Sequence, residues 1–313
     1  MKKLKKIKGD ASNRKFFRKR DKDSSSVLVF AKKDKIKNLL IYDAINKVLN
    51  KNKILAPKLF IEHYHKNFME IQDFGNSTIL KILNKKEVNK FFYFKKIIEI
   101  LNQIQVIKDR NIKTFRKQNY IIPKYDNQIL IREANLFSEW YLKKRLSKKN
   151  KIKFIKRFRK ILTKLTLALK LKNNTFVHRD FHVSNLMLVN NKIGVIDSQD
   201  ALIGNKAYDL ASLVDDVRFK TSKTFKDKVY KFYINKQKKI NKVKFRNDFE
   251  ILSILRNLKI IGIFTRLAIK DGKKDYLKLI PYAWSLIDMR MNKNNVFNEL
   301  RDLLKIHFKG KIK

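Results

Sequence analysis

The sequence has no cysteine, only 3 prolines and 7 glycines, and 28 acidic residues against 76 lysines and arginines. Without cysteine there is no disulfide framework, no thiolate metal site and no cysteine nucleophile. That fits a cytoplasmic protein. No run of about 18 apolar residues occurs, so no transmembrane helix and no membrane partner are expected. The basic start, MKKLKKIKGDASNRKFF, is not followed by the apolar stretch of a secretory signal. Scarce glycine and proline leave no flexible or Pro-rich linker, and no repeat with a period of about 20–50 residues is present.

What is there is charge and a normal apolar complement. The 313 residues are 44% hydrophobic, enough for one bilobal domain or two smaller ones. The net charge is +48. Such a balance suits a polyanion partner. However, lysine is spread from Lys2 to Lys313 rather than gathered in a stripe, and Lys, Ile, Asn and Phe are all abundant, as A/T-rich codons favour. The charge is therefore read as compositional drift on solvated faces, and no specific nucleic acid is expected. It still favours phosphorylated ligands.

Two organisations follow each other along the chain. NRKFFRKR, the polar turn Asp21–Ser26 and Val27–Ala31 predict a hairpin. Apolar residues at Ile36, Leu39, Leu40, Ile45, Val48 and Leu49 predict a helix. Strands near Leu59–Glu62 and Phe68–Ile71 predict a second hairpin that ends in QDFG. From Ser77 onward, segments such as EVNKFFYFKKIIEILNQIQVI, EANLFSEWYLKKRL, IKFIKRFRKILTKLTLALKLK and DFEILSILRNLKIIGIFTRLAI carry helical periodicity. NLMLVNNKIGVID interrupts them as a hairpin turning at Asn190-Asn191. The expected class is α+β: a small β-rich lobe over residues 1–75, and a mostly helical lobe over 76–313.

A polar cluster brackets that last hairpin: VHRDFHVSN (Val177–Asn185) before it and DSQDA (Asp197–Ala201) after it. A tight hairpin brings its two ends together, so Asn185 and Asp197 should converge. Hard oxygens there suit Mg²⁺ shared with phosphates. Asp180 is placed to take a proton from a hydroxyl. Metal, phosphate and an oriented alcohol are the parts of phosphoryl transfer.

HRDFHVSN followed by VIDSQD resembles the catalytic and metal-binding segments of the protein-kinase-like superfamily, and more closely the aminoglycoside phosphotransferase/choline kinase branch. GDASNRKFFR, IQDFG, NLFSEWYLKKRL, HRDFHVSNLM, GVIDSQDALIGNKAYDLASLVDDVR and RNLKIIGIFTRLAIKDGKKDYL stand in the order of a bacterial subgroup. That subgroup contains anomeric kinases of N-acetylmuramate and N-acetylglucosamine that serve cell-wall sugar recycling. The resemblance runs from about Gly9 to about Trp284. It implies a protein-kinase-like bilobal fold, with ATP and Mg²⁺ as cofactors and transfer of the γ-phosphoryl group to a sugar hydroxyl. Asp180 is then the catalytic residue, and Asn185 and Asp197 hold the metal. Ser12, Asn13 and Arg14 in the GDASNRKFF loop, with Gln72 and Phe74, meet the nucleotide. Arg179, His182 and Asp200 face the substrate or organise the loop, and His178 and Asp209 brace it.

Some alternatives stay open at this level. The helix after the first hairpin has no glutamate to pair with a strand lysine, as protein kinases require. Its only acid is Asp43, and Lys32 or Lys33 is left as a phosphate cation. Ser198 stands where the subgroup has an aromatic. Arg14 and Arg18 are phosphate contacts or solvated residues, His182 contacts substrate or packs the loop, and Trp140 is core or stacks on a sugar. The runner-up functions are kinases of choline, an aminoglycoside or another sugar, and a non-catalytic basic scaffold that binds nucleic acid. The strong positive charge disfavours an amine substrate. A small-molecule sugar and a monomeric protein are the expectation.

Overall fold

Alternating apolar residues in a lysine-rich chain build a sheet first and helices afterwards. The computed structural model describes residues 3–7, 14–21, 24–142, 145–292 and 294–312. The α+β expectation holds, with a sheet at the N-terminal end and a mostly helical remainder. By internal contacts the chain forms two units: Met1–Pro123 with Phe176–Ile203, and Lys124–Thr175 with Gly204–Lys313.

The first unit begins with β1 (Lys3–Ile7), β2 (Lys15–Arg20), β3 (Ser25–Phe30), helix α1 (Lys37–Lys51), β4 (Leu59–His63) and β5 (Phe68–Gln72). The strands form one antiparallel sheet in the order β1-β2-β3-β5-β4. Both predicted hairpins are present. Phe30 on β3 stacks on Phe68 at 4.8 Å and meets Phe17 edge-on at 5.6 Å, the kind of aromatic pair that stabilises neighbouring strands. Val27, Val29, Met69 and Ile71 point to the other face, against Leu39 and Tyr42 of α1. Helix α1 begins within one residue of the predicted start.

Helices α2 (Ile79–Leu83) and α3 (Lys90–Gln105) and the small hairpin β6 (Asn111–Lys113) and β7 (Asn119–Ile121) complete the first stretch of this unit. After an excursion through the second unit the chain returns along β8 (Asn173–Val177). It then forms β9 (Leu186–Val189) and β10 (Lys192–Val195), and leaves along β11 (Leu202–Asn205).

The second unit holds α4 (Asn127–Ala134), α5 (Lys148–Leu167), α6 (Tyr208–Val214), α7 (Lys223–Asn235), α8 (Lys242–Lys270), α9 (Ile280–Met291) and α10 (Asn298–His307). Its centre is α8, buried on nearly every side from Phe245 to Leu267, polar residues such as Asp248, Arg256 and Asn257 included. Phe137, Tyr141, Phe154, Phe158, Trp284 and Phe308 form an aromatic cluster beside it, and Trp284 Nε1 donates to Tyr141 Oη at 3.1 Å. The sequence predicts one helical face through Glu133–Leu146. Instead α4 ends at Ala134, and Phe137–Tyr141 is a π-turn. No helix among the described residues is long and apolar enough to cross a membrane.

Candidate active site

The polar cluster is organised by the hairpin between its halves. β9 and β10 pair from Lys192↔Val189 to Val195↔Leu186, and Asn190 and Asn191 turn the chain with φ of +46° and +59°. Two consecutive left-handed residues match the strands' twist in a two-residue hairpin. At the open end the Ile196 N–H donates to the Asn185 carbonyl at 3.0 Å. The residues just before and just after the hairpin therefore meet.

Asp180 is pinned through its own backbone. Its carbonyl accepts from the His182 N–H at 3.0 Å and from Asn185 Nδ2 at 3.1 Å. The preceding Arg179 has a φ of +76°, a conformation uncommon outside glycine. His178 is fully buried, and its Nε2 lies 3.1 Å from the Ile196 carbonyl. A carbonyl only accepts, so Nε2 carries the proton. Burial pushes the His178 pKa down, against the upward pull of Asp180, Asp197 and Asp200. A neutral imidazole thus ties the start of the loop to the residue before Asp197.

Asp197 also stands in the left-handed region, with φ of +65°. Its carboxylate, 34% exposed, is ion-paired through Oδ1 with Nη2 of Arg14, whose side chain is 7% exposed. Arg14 Nη1 donates to Gln199 Oε1 at 2.9 Å, and the guanidinium lies 5.4 Å from the rings of Phe16 and Tyr42. Helix α1 supports the same segment. Asn46 Oδ1 accepts from Ser198 Oγ at 2.6 Å, and Asn46 Nδ2 donates to the Pro57 carbonyl at 3.0 Å. Burial raises the Tyr42 pKa, with Arg14 opposing. Asp43 is instead buried against Lys47 of its own helix, 2.6 Å away, and desolvation raises its pKa. Lys32 and Lys33 are exposed. The cation on Asp197 is Arg14.

The remaining candidates are placed as follows. Ser12 and Asn13 lie outside the described residues. Gln72 closes β5, and its N–H donates to the Lys58 carbonyl at 2.8 Å. The Phe74 ring is buried over β10. A Cβ on Gly194 would come 2.6 Å from its Cε2, so glycine is the residue that allows this approach. Arg18 is buried rather than solvated. It holds Asp73 through Nε at 2.5 Å and Nη2 at 2.9 Å, and reaches Asn76 and the Gly75 carbonyl. Arg179 and Asp200 are 3.5 Å apart, and Asp200 accepts from Gln199 Nε2 at 2.6 Å. His182 is buried. Asp209 is buried in the first turn of α6, in the second unit. Trp140 is half-buried with Lys270 over its ring at 5.1 Å.

The first unit thus gathers Arg14, Asp180, Asn185 and Asp197. Asn185 Nδ2 is committed to the Asp180 carbonyl, and Asp197 Oδ1 to Arg14. The other oxygens, Asn185 Oδ1 and Asp197 Oδ2, make no hydrogen bond among the described residues. One carboxylate oxygen and one amide oxygen are hard donors that fit a small divalent cation shared with phosphates. Among the described residues no group of three or more His, Cys, Asp or Glu side chains could hold a metal ion. Sequence reasoning missed Tyr42, Asn46 and Gln199. The periodicity of α1, which puts positions 42 and 46 one turn apart, is the signal for Tyr42 and Asn46, and Gln199 has none.

The model of the phosphotransferase enzyme family (APH) matches residues 3–238. A protein named N-acetylmuramate/N-acetylglucosamine kinase from Neisseria meningitidis is 30% identical over 279 residues, covering 87% of this chain and 80% of that protein. One of the same name from Pseudomonas aeruginosa is 27% identical over 302 residues, covering 94% and 86%. Among solved structures, choline kinase LicA from Streptococcus pneumoniae superposes with a TM-score of 0.63 at 12% identity, covering 91% of this chain and 92% of that one. The ADP-bound aminoglycoside phosphotransferase APH(2'')-Ib gives 0.61 at 18% identity, covering 91% and 92%. These two likenesses concern the fold.

Proposed function

Starting from the chain's membership of the phosphotransferase enzyme family, we propose that it transfers the γ-phosphoryl group of ATP to the anomeric hydroxyl of N-acetylmuramate or N-acetylglucosamine in cell-wall sugar recycling, as a cytoplasmic monomer. The observation that carries the reading is the convergence of Asp180, Asn185 and Asp197 through two short bonds: Asn185 Nδ2 to the Asp180 carbonyl at 3.1 Å, and Ile196 N–H to the Asn185 carbonyl at 3.0 Å. The names of the relatives support the sugar.

The roles follow from the chemistry of each group. The Asp180 carboxylate orients the sugar hydroxyl and takes its proton. An anomeric hydroxyl is more acidic than an ordinary alcohol, so a carboxylate suffices as acceptor late in a loose transition state. Asn185 and Asp197 would hold Mg²⁺, which when bound neutralises charge on the phosphate oxygens. Arg14 moves from Asp197 to the phosphates and fills the place of the strand lysine of protein kinases; a guanidinium suits that contact. Ser12, Asn13 and the backbone of Gln72–Phe74 contribute to the nucleotide site in the lobe of residues 1–75. Arg179, His182 and Asp200 face the sugar, and His178 and Asp209 hold the loop.

The test is an ADP-release screen over sugars, with and without Mg²⁺. N-acetylmuramate and N-acetylglucosamine should give Mg²⁺-dependent ADP, and the product should lose its reducing end. Choline- or aminoglycoside-dependent ADP without either sugar would replace the substrate assignment. Asp180→Asn should keep ATP affinity within about twofold and lose about 10²–10⁴-fold in turnover. Near-normal single-turnover rates in that variant would sink the role of Asp180. Asp197→Ala should remove Mg²⁺-dependent nucleotide binding in calorimetry.

A further inference from the structure

The turn Ser198–Asp200 is fixed at its backbone and loaded through one side chain. Ser198 Oγ donates to Asn46 of α1 at 2.6 Å, and the Ala201 N–H closes the turn on the Ser198 carbonyl at 3.1 Å. Gln199 then stands between two charges of opposite sign. Its Oε1 accepts from Arg14 Nη1 at 2.9 Å, and its Nε2 donates to Asp200 Oδ2 at 2.6 Å. On its other oxygen Asp200 meets Arg179 at 3.5 Å. The same Arg14 is ion-paired with Asp197. One line of contacts therefore runs from Arg14, assigned above to the phosphates, to Asp200 and Arg179, assigned to the sugar. All of these residues belong to the first unit.

The amide has one workable orientation. A guanidinium only donates and a carboxylate only accepts, so the amide oxygen faces Arg14 and the amide nitrogen faces Asp200. Both bonds end on a charged group, which makes them stronger than neutral ones. Gln199 is 9% exposed and the Arg14 side chain 7%, so little water competes. Hydrogen bonds in line polarise one another in such surroundings. The guanidinium draws on the amide oxygen, and the amide nitrogen becomes a better donor to Asp200. The Asp200 side chain is 48% exposed, within reach of a ligand. The amide holds it firmly while Arg14 is seated.

We propose that Gln199 is a positioning residue that couples nucleotide binding to sugar binding. The inference rests on the sugar-kinase reading, in which Arg14 leaves Asp197 for the phosphates and Asp200 faces the sugar. When Arg14 turns away, Gln199 Oε1 loses its charged donor. The amide is no longer locked, and its hold on Asp200 Oδ2 weakens. The Asp200 carboxylate then accepts more strongly from a sugar hydroxyl. Nucleotide binding thus tightens sugar binding, and by reciprocity the sugar tightens nucleotide binding by the same factor.

The experiment uses the full chain, with calorimetry of N-acetylmuramate and N-acetylglucosamine in the presence and absence of a non-hydrolysable ATP analogue and Mg²⁺. The wild type should bind sugar about five- to twentyfold more tightly with the nucleotide. Gln199→Met keeps the volume and loses both bonds. Its nucleotide-free sugar affinity should rise toward the nucleotide-bound value, bringing the factor to within about twofold of one. A residue that only supported the fold would weaken sugar binding equally in both states and leave the factor unchanged. Gln199→Glu keeps an acceptor for Arg14 and sets a carboxylate against Asp200, so it should also remove the coupling while weakening nucleotide binding. A wild-type factor near one, or an unchanged factor in either variant, overturns the inference, while sugar-dependent ADP release by the wild type leaves the kinase reading standing. A wild type that binds and phosphorylates neither sugar overturns both readings.

Discussion

Arg179 and Asp197 both hold left-handed backbone without being glycine, and they flank the cluster from its two sides. Strain of that kind persists only where the surroundings over-determine it. Here the surroundings are the buried His178–Ile196 bond and the Asn46–Ser198 bond. The neutral state of His178 has a measurable consequence. The fold keeps its pKa below the ordinary 6.5, so in a falling pH series the unfolded chain takes up a proton that the folded one refuses. Stability from this group is present above about pH 6.5 and is lost as pH falls below it. The thermal midpoint should therefore decline as pH falls below about 6.5, and His178→Gln, which keeps an N–H donor, should flatten that slope. Glu70, Asp73 and Asp215, whose pKa values are held down by Lys19, Arg18 and Arg290 against burial, act in a separate window. Their stabilisation is lost only below their ordinary 4.5 or 3.8. The convergence of Asp180, Asn185 and Asp197 is legible because they bracket one short hairpin. Arg14 on Asp197 is not, because no local pattern says which of many cations reaches across a fold.

Hairpins and long helices are the elements that local chemistry announces. Asn190-Asn191 signals its turn because asparagine tolerates positive φ, and the structure puts both residues there. β1 gave no such signal. Its KLKKI blends into the lysine-rich background, and only the bonds to β2 define it. The π-turn at Phe137–Tyr141 was equally illegible, since a one-residue insertion leaves the apolar face continuous. What requires it is tertiary. At Gly262, α8 comes so close to the Leu136 carbonyl and the Phe137 N–H that any Cβ there collides with backbone. Gly262→Ala should destabilise the protein by about 1–3 kcal/mol, and by more than the exposed Gly272→Ala, both read by denaturant unfolding at constant slope. In the same unit, Arg290→Met removes the two guanidinium bonds to the buried Asp215, leaving it Lys226 at 3.5 Å, and should cost about 3 kcal/mol.

For the molecule as a whole, a charge of +48 acts on association more than on fold. Screening grows with salt, so the KM for ATP should rise severalfold between about 50 and 500 mM salt, while that for uncharged N-acetylglucosamine stays nearly flat. Equal responses would mean that the field does not reach the nucleotide site. On the proposed metal role of Asp197, the Arg14–Asp197 pair sets the logic of loading within that field. A divalent ion arriving by itself must displace a tethered guanidinium and leave it without a partner. A nucleotide arriving by itself must settle its negative charge beside an uncompensated Asp197 once Arg14 turns away. Arriving together, each repairs the vacancy the other creates, and by reciprocity each must tighten the other's binding by the same factor. The site then behaves as a coincidence detector. Paramagnetic resonance should find Mn²⁺ weakly held without nucleotide and strongly held with it, and Arg14→Ala should narrow that gap by improving the first binding and weakening the second.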